Sequence, residues 1–237
     1  MSRDVAAADS WATWIVRAST GSLMGRSASV LTWRRALVIG APLALGVVEL
    51  WHYLPDLSVS RFQDLSPRVD QWLTVHMIQL PLFGLVAAAV YLLTDGLTGK
   101  AVLVSRIGLW LFLVFYTALD SLAGLAVGFL VRHGLTLPPD QQQGIASAAQ
   151  ALWNDPWLGG IFSLVGALGN LGWLVAVIAA AVAHHRAGAP RPAVVILVLS
   201  AIVFGVGHPR PFGPVGMALL AAGAAWVEFA PKRTGGA

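Results

Sequence analysis

Glu49, His52, His76, Asp120 and His208 lie in or beside long apolar runs, where an ionisable side chain is costly and needs a partner or a task. Glu49 and His52 are three residues apart, so on a helix they share a face. His76 and Gln79 repeat that spacing, and Tyr116 and Asp120 are four apart. His208 stands in the proline-rich stretch GHPRPFGPVG. Low dielectric favours the neutral form of a carboxyl group, which would make Glu49 or Asp120 a general acid with His52 or His76 as base. Tyr116 completes the expected catalytic set. Trp51, Tyr53, Phe115, Tyr116 and Trp173 would line an apolar pocket and face developing positive charge. Gln79, Asn170 and Arg210 would bind the substrate's polar part. That chemistry suits isomerisation, cyclisation or hydrolysis of a lipophilic substrate such as an isoprenoid or a lipid.

The same residues support a second reading. His52, His76 and His208, with Glu49 or Asp120, form a three-histidine and carboxylate set suited to a divalent ion such as zinc, copper or iron. Glu49-x-x-His52 has the spacing used in carboxylate-bridged di-metal bundles, although the chain lacks the second ExxH of such a site, and HExxH too. A third reading is non-catalytic: a transport component or an accessory subunit of a membrane complex. No inverted repeat points to a transporter built from one chain. Each residue also has a plain structural role open to it. His52 suits interfacial water beside Trp51 and Tyr53, and His76 a single hydrogen bond. Asp120 could pair with Arg210, while Gln79 and Asn170 could join helices.

The setting for these residues is a membrane. Charged residues make up 11% of the chain against about 25% in soluble domains. The mean hydropathy is +0.73, and so few charges cannot cover a water-facing surface. The absence of cysteine excludes disulfides, thiolate catalysis and cysteine-ligated metals from this chain. The net charge of +4 resides in the short segments between apolar runs, which argues for topology signals rather than a nucleic-acid partner. Membrane lipids are the expected partners, with a lipophilic small molecule next; protein partners are not indicated.

Six apolar runs, at about 36–54, 72–94, 104–131, 157–183, 193–207 and 213–230, approach the roughly 20 residues needed to cross a bilayer. Lipid requires internally satisfied backbone, so the expected fold is all-α, a six-helix transmembrane bundle. The expected organisation is a cytoplasmic or interfacial segment at 1–33, the bundle at 34–230 and a basic tail at 231–237. Trp11 and Trp14 suggest a helix lying on the inner surface. No cleaved signal peptide is expected, because Arg3, Arg17 and Arg26 interrupt residues 1–30. With the N-terminus inside, eleven of the 15 Lys and Arg residues fall on the inner side and four on the outer. The prediction is a multi-pass cell-membrane protein with both termini in the cytoplasm.

Depth can be counted along such helices at about 1.5 Å per residue. Glu49, Gln79 and Asp120 fall in one layer slightly outside the membrane centre, and His52, His76 and His208 in a second layer nearer the outer surface. Asn170 falls near the midplane, counted from an interfacial Trp157. Trp72 and Trp153 are taken as outer-edge anchors as well. Gly124, Gly128, Gly166, Gly169, Gly172, Gly216 and Gly223 mark close helix packing. His184, beside His185 and Arg186, reads as part of a solvated loop, and Glu228 as reaching water or the basic tail. Asp140 and the following glutamines read as an exposed loop or a helix start.

Overall fold

The structure is a computed structural model, and it describes residues 30–160 and 162–230. The expected surface helix around Trp11 and Trp14, and the tail at 231–237, lie outside the described residues. Within them the chain forms seven helical elements and no strand. These are α1 (Val30–Trp51), α2 (Arg61–Leu93), α3 (Lys100–Gly134), α4 (Pro139–Asn154), α5 (Leu164–Arg186), α6 (Arg191–Val206) and α7 (Phe212–Phe229).

Five of them, α1, α2, α3, α5 and α7, are long and apolar enough to cross a membrane. The sixth expected span, α6, has 16 residues and falls short of that length. Local chemistry sets the boundaries. Ser60 caps α2 by accepting the Gln63 amide through its hydroxyl, so this helix begins eleven residues before the expected position of 72. A short 3₁₀ turn at Ser66–Arg68, forced by Pro67, is absorbed within it. Pro139 opens α4 at its first turn, where a missing N–H costs nothing. The helix runs on to Asn154, which extends the expected loop or helix start into sixteen residues of helix. The apolar run expected from 157 starts its helix only at Leu164. Before it, the Asp155 carboxylate accepts the amides of Trp157 and Leu158, and Gly160 takes φ +61°, so the segment turns.

One end of the bundle gathers the start of α1 with the ends of α2, α5 and α7. Arg34 donates to Glu228 Oε2 at 2.7 Å and to the Leu92 carbonyl at 3.0 Å. His184 is buried against α2, with Nε2 at 2.9 Å from the Leu93 carbonyl. Both findings correct the sequence reading: Glu228 faces the bundle rather than water, and His184 is no loop residue. A helix carbonyl at a terminus wants a donor, and these two basic side chains supply it. Glu228→Ala would leave the Arg34 guanidinium with a carbonyl alone. It is expected to cost about 1–3 kcal/mol, discounted for the partly exposed arginine, measured as a lowered unfolding midpoint in detergent.

The core is aromatic at its centre. Trp173 is fully buried, its Nε1–H donating to the Ala201 carbonyl at 3.2 Å. Phe112 and Phe204 flank it with ring centroids at 5.2 and 4.9 Å, and Phe83 meets both Phe112 and Tyr116. Helices α3 and α5 cross in direct backbone contact: a Cβ at Gly172 would lie 2.4 Å from the Phe112 nitrogen. Ser105 strengthens that crossing by donating to the Ala176 carbonyl at 2.8 Å. The small-residue face read from the sequence is therefore a packing face. Two stretches of α3, Phe112–Tyr116 and Asp120–Ala126, are wound as π-helix. Such widening of the turn redirects side chains and is frequent at functional sites.

Candidate metal centre

Four chain segments deliver polar side chains to the other end of the bundle. Glu49 lies in the last turn of α1 and is wholly buried. His52 follows directly, its amide closing a final turn on the Glu49 carbonyl at 3.2 Å before the chain leaves the helix toward Pro55. His76 and Gln79 project from α2, both buried. Asp120 opens the second π stretch of α3. His208 hangs from the turn between α6 and α7, where Gly207, Pro209 and Pro211 forbid a continuous helix.

These side chains meet. Gln79 donates through Nε2 to Glu49 Oε1 at 2.7 Å. His208 Nδ1 sits 3.3 and 3.4 Å from the two carboxylate oxygens of Glu49. The His52 ring stands edge-on to both His76 and His208, with centroids at 4.9 and 4.7 Å. His76 Nε2 is 3.9 Å from Asp120 Oδ1. The predicted pair of layers is therefore not what forms. His208 drops to the level of Glu49 and Gln79 because α6 is short, and the histidines and carboxylates interleave.

Hydrogen bonding fixes which ring nitrogens remain available. A carbonyl can only accept, so His52 donates Nδ1–H to the Tyr53 carbonyl, 2.6 Å away. His76 donates Nδ1–H to the Trp72 carbonyl at 2.7 Å in the same manner. Each imidazole then presents its Nε2 inward. The Nε2 of His52 is buried with no hydrogen-bond partner, as are Asp120 Oδ2 and Gln79 Oε1. Buried polar atoms without partners are rare and call for an explanation. One donor atom each from Glu49, His52 and His208 lies within 4.8 Å of the others. An ion with tetrahedral bonds of about 2.0–2.2 Å sets its donors about 3.3–3.6 Å apart, so binding would draw the widest pair together by about 1 Å. The Nδ1–H to carbonyl bond is the arrangement that orients a metal-ligating histidine, so the donor set fits a transition-metal ion.

Trp72 roofs the cluster. Its ring is 4.2 Å from that of His76, and its Nε1–H donates to the Gly124 carbonyl at 2.6 Å. It is buried, which corrects its reading as an interfacial anchor. Beneath it a cavity of about 20 Å³ is bounded by His76, Asp120, His208 and Tyr116 among others. That is room for one water molecule and for nothing as large as a lipid chain.

Of the other expected site residues, only Tyr116 joins this cluster. Trp51 is 52% exposed on the bundle's surface. Tyr53 points away, donating to Asp64 Oδ1 at 2.6 Å. Asn170 Nδ2 donates to the Gly205 carbonyl at 2.8 Å and joins α5 to α6, six residues from the start of its helix because Trp157 precedes the helix altogether. Trp173 belongs to the aromatic core, and Phe115 is half-buried on α3. Arg210 is exposed and makes no ion pair with Asp120, whose ionisable neighbour is His76. Tyr116 packs against the His208 ring with centroids at 5.8 Å.

A second buried group went unnoticed in the sequence. Arg61 and Asp64, one turn apart at the start of α2, pair at 2.8 Å with both side chains enclosed. Arg61 also donates to the carbonyls of Asp56 and Val59, and its guanidinium lies 5.0 Å over Trp153. The Asp56 carboxyl, on the surface of that loop, is held below its ordinary value by hydrogen bonds from the Ser58 hydroxyl and amide. The capping pattern Ser60-x-x-Gln63 marks this helix start in the sequence. Comparison with protein families, with curated proteins and with solved structures finds no match to this chain.

Proposed function

We propose that the protein is a six-span membrane metalloenzyme, with Glu49, His52 and His208 as ligands of a divalent transition-metal ion. Its termini face the cytoplasm and its centre faces the outer half of the bilayer. The observation that carries the reading is the orphaned Nε2 of His52, a buried ring clustered with Glu49 and His208, while its Nδ1 is tied to a carbonyl. A bound ion would satisfy that nitrogen and also the Glu49 carboxylate. The crossing count rests on α6 joining the five longer helices. At about 24 Å it nearly spans the hydrocarbon if its proline-rich end sits below the surface. The arginine distribution supports the orientation.

Within this reading an ion held by Glu49, His52 and His208 would supply Lewis acidity to a water molecule. The small cavity, which His208 and Asp120 both line, has room for that water. The unpartnered Asp120 Oδ2 would accept its proton, with the His76 ring, held by the Trp72 carbonyl, next to the same carboxyl group. The chemistry is acid–base or hydrolytic, on a substrate whose bulk stays outside the cavity while its reacting group approaches.

Elemental analysis of the purified protein tests this directly. The expected result is close to one zinc, copper or iron per chain, falling by more than about tenfold in His52→Ala and His208→Ala. Unchanged metal content in both variants, or metal-free wild-type protein reconstituted with none of these ions, would sink the assignment. Asp120→Asn is expected to keep the metal and lose turnover, by about 10²–10⁴-fold for a missing general base.

A further inference from the structure

A larger cavity, of about 420 Å³, opens at the same end of the bundle between residues 57–61 and 150–163. Leu57, Arg61, Gln150, Asn154 and Phe162 contribute to its walls, and so does Trp153. Trp153 also lines the water-sized cavity at His76, Asp120 and His208. It is the one described residue common to both linings. Its indole leans on Trp72 with ring centroids at 6.3 Å, and carries the Arg61 guanidinium over its ring at 5.0 Å. Everything else around the small cavity is packed protein interior: Trp72, Tyr116, Leu119, Ala123 and Gly124 are buried.

We propose that the larger cavity is the antechamber of the centre and that the Trp153 indole is the wall between them, so that metal ions and a small polar reactant arrive from the outer aqueous side past this side chain. The inference rests on the metal-centre reading above. Trp153 stands in the last turn of α4, which ends at Asn154 and gives way to turns beginning at Asp155. An indole at a helix end can swing by a rotamer change where one in mid-bundle cannot. The chamber's chemistry also indicates what it admits. Arg61 is neutralised by Asp64 at 2.8 Å, and its Nε has no protein partner. With Gln150 and Asn154 beside it, the chamber suits an uncharged molecule carrying a hydrogen-bond acceptor, such as a carbonyl or ester oxygen, more than a free anion.

The test is the rate at which EDTA strips zinc from the full-length, zinc-loaded protein. The chain has no cysteine, so Asn154→Cys gives one thiol to which a bulky maleimide can be attached in the mouth of the chamber. Trp153→Ala is expected to release zinc at least about tenfold faster, equal to about 1.4 kcal/mol of barrier, with the same zinc content. Labelled Asn154→Cys is expected to release it at least about tenfold more slowly than the unlabelled variant. Should Trp153→Ala fold poorly, the labelled thiol decides alone. Stoichiometric zinc with rates unmoved by the label overturns the antechamber and leaves the centre standing. So does faster release in Leu119→Ala without any in Trp153→Ala. Protein that takes up none of zinc, copper and iron overturns both.

Discussion

Glu49→Gln is expected to lose the metal ion while keeping the fold, and Glu49→Leu to lose both. The contrast follows from the partners of this carboxylate. Gln79 donates to Oε1 at 2.7 Å, and His208 Nδ1 faces both oxygens. An amide in the same place still accepts from Gln79 and can donate to His208, whose neutral ring needs only to exchange tautomers. The hydrogen bonds survive, so the unfolding midpoint should shift little. An amide oxygen without charge is a far weaker ligand for a divalent ion, and metal affinity should fall by more than about 100-fold, beyond the range of an outer-shell change. Leucine removes the acceptor altogether. Gln79 and His208 are then buried with unanswered donors at the core of the bundle, which costs about 3–5 kcal/mol when a buried pair is broken. Thermal unfolding in detergent beside metal content by mass spectrometry reads both effects. A Glu49→Gln protein that binds the ion as tightly as wild type would mean that the carboxylate only organises hydrogen bonds.

Much of this arrangement is legible in the chain, for reasons that differ from residue to residue. Glu49 and His52 at helical spacing in an apolar run announce a shared buried face, and both are buried at the cluster. His208 is legible as a candidate because Gly207, Pro209 and Pro211 around it stop a helix inside an apolar region. Its level is not. That depends on the length of α6 and on the packing of α6 against α7. Asp120 is recognisable as a buried carboxylate, but the π winding that aims it at His76 has no sequence signature. It coincides with the close contact of α3 with α5 and with the Trp72 hydrogen bond to Gly124. Trp51 and Tyr53 mislead because aromatic identity says nothing about azimuth. They follow Glu49 by two and four residues, yet one faces outward and the other turns to Asp64. The α4 helix was within reach: after Pro139, the apolar positions Ile145, Ala149 and Leu152 fall four and three apart, a one-face pattern. It was masked by the polar glutamines that precede them. The Arg61–Asp64 pair shows the opposite limit, because two charges one turn apart read as a surface pair until packing encloses them.

Gly124→Ala should disable the centre more completely than removal of any one outlying polar group. A Cβ at that position would lie 2.0 Å from His76 Cδ2 and 2.6 Å from Cγ. The imidazole cannot give way, since its Nδ1–H is held by the Trp72 carbonyl and its faces are closed by Trp72 and His52. The backbone of α3 cannot retreat easily either, because the Gly124 carbonyl holds the Trp72 indole at 2.6 Å. Displacement must therefore spread from His76 to Trp72 and His52 together. The expected result is about 1–3 kcal/mol of destabilisation from overpacking, with weakened metal binding through the shifted His52. Gly84→Ala on α2, two turns beyond His76, is the matched comparison. Its Cβ meets nothing within 4 Å, so it should be neutral or slightly stabilising by the helix preference of alanine, up to about 1 kcal/mol. If both variants unfold and bind metal alike, the glycine at 124 serves ordinary helix packing, and the clearance around His76 is not what the site requires.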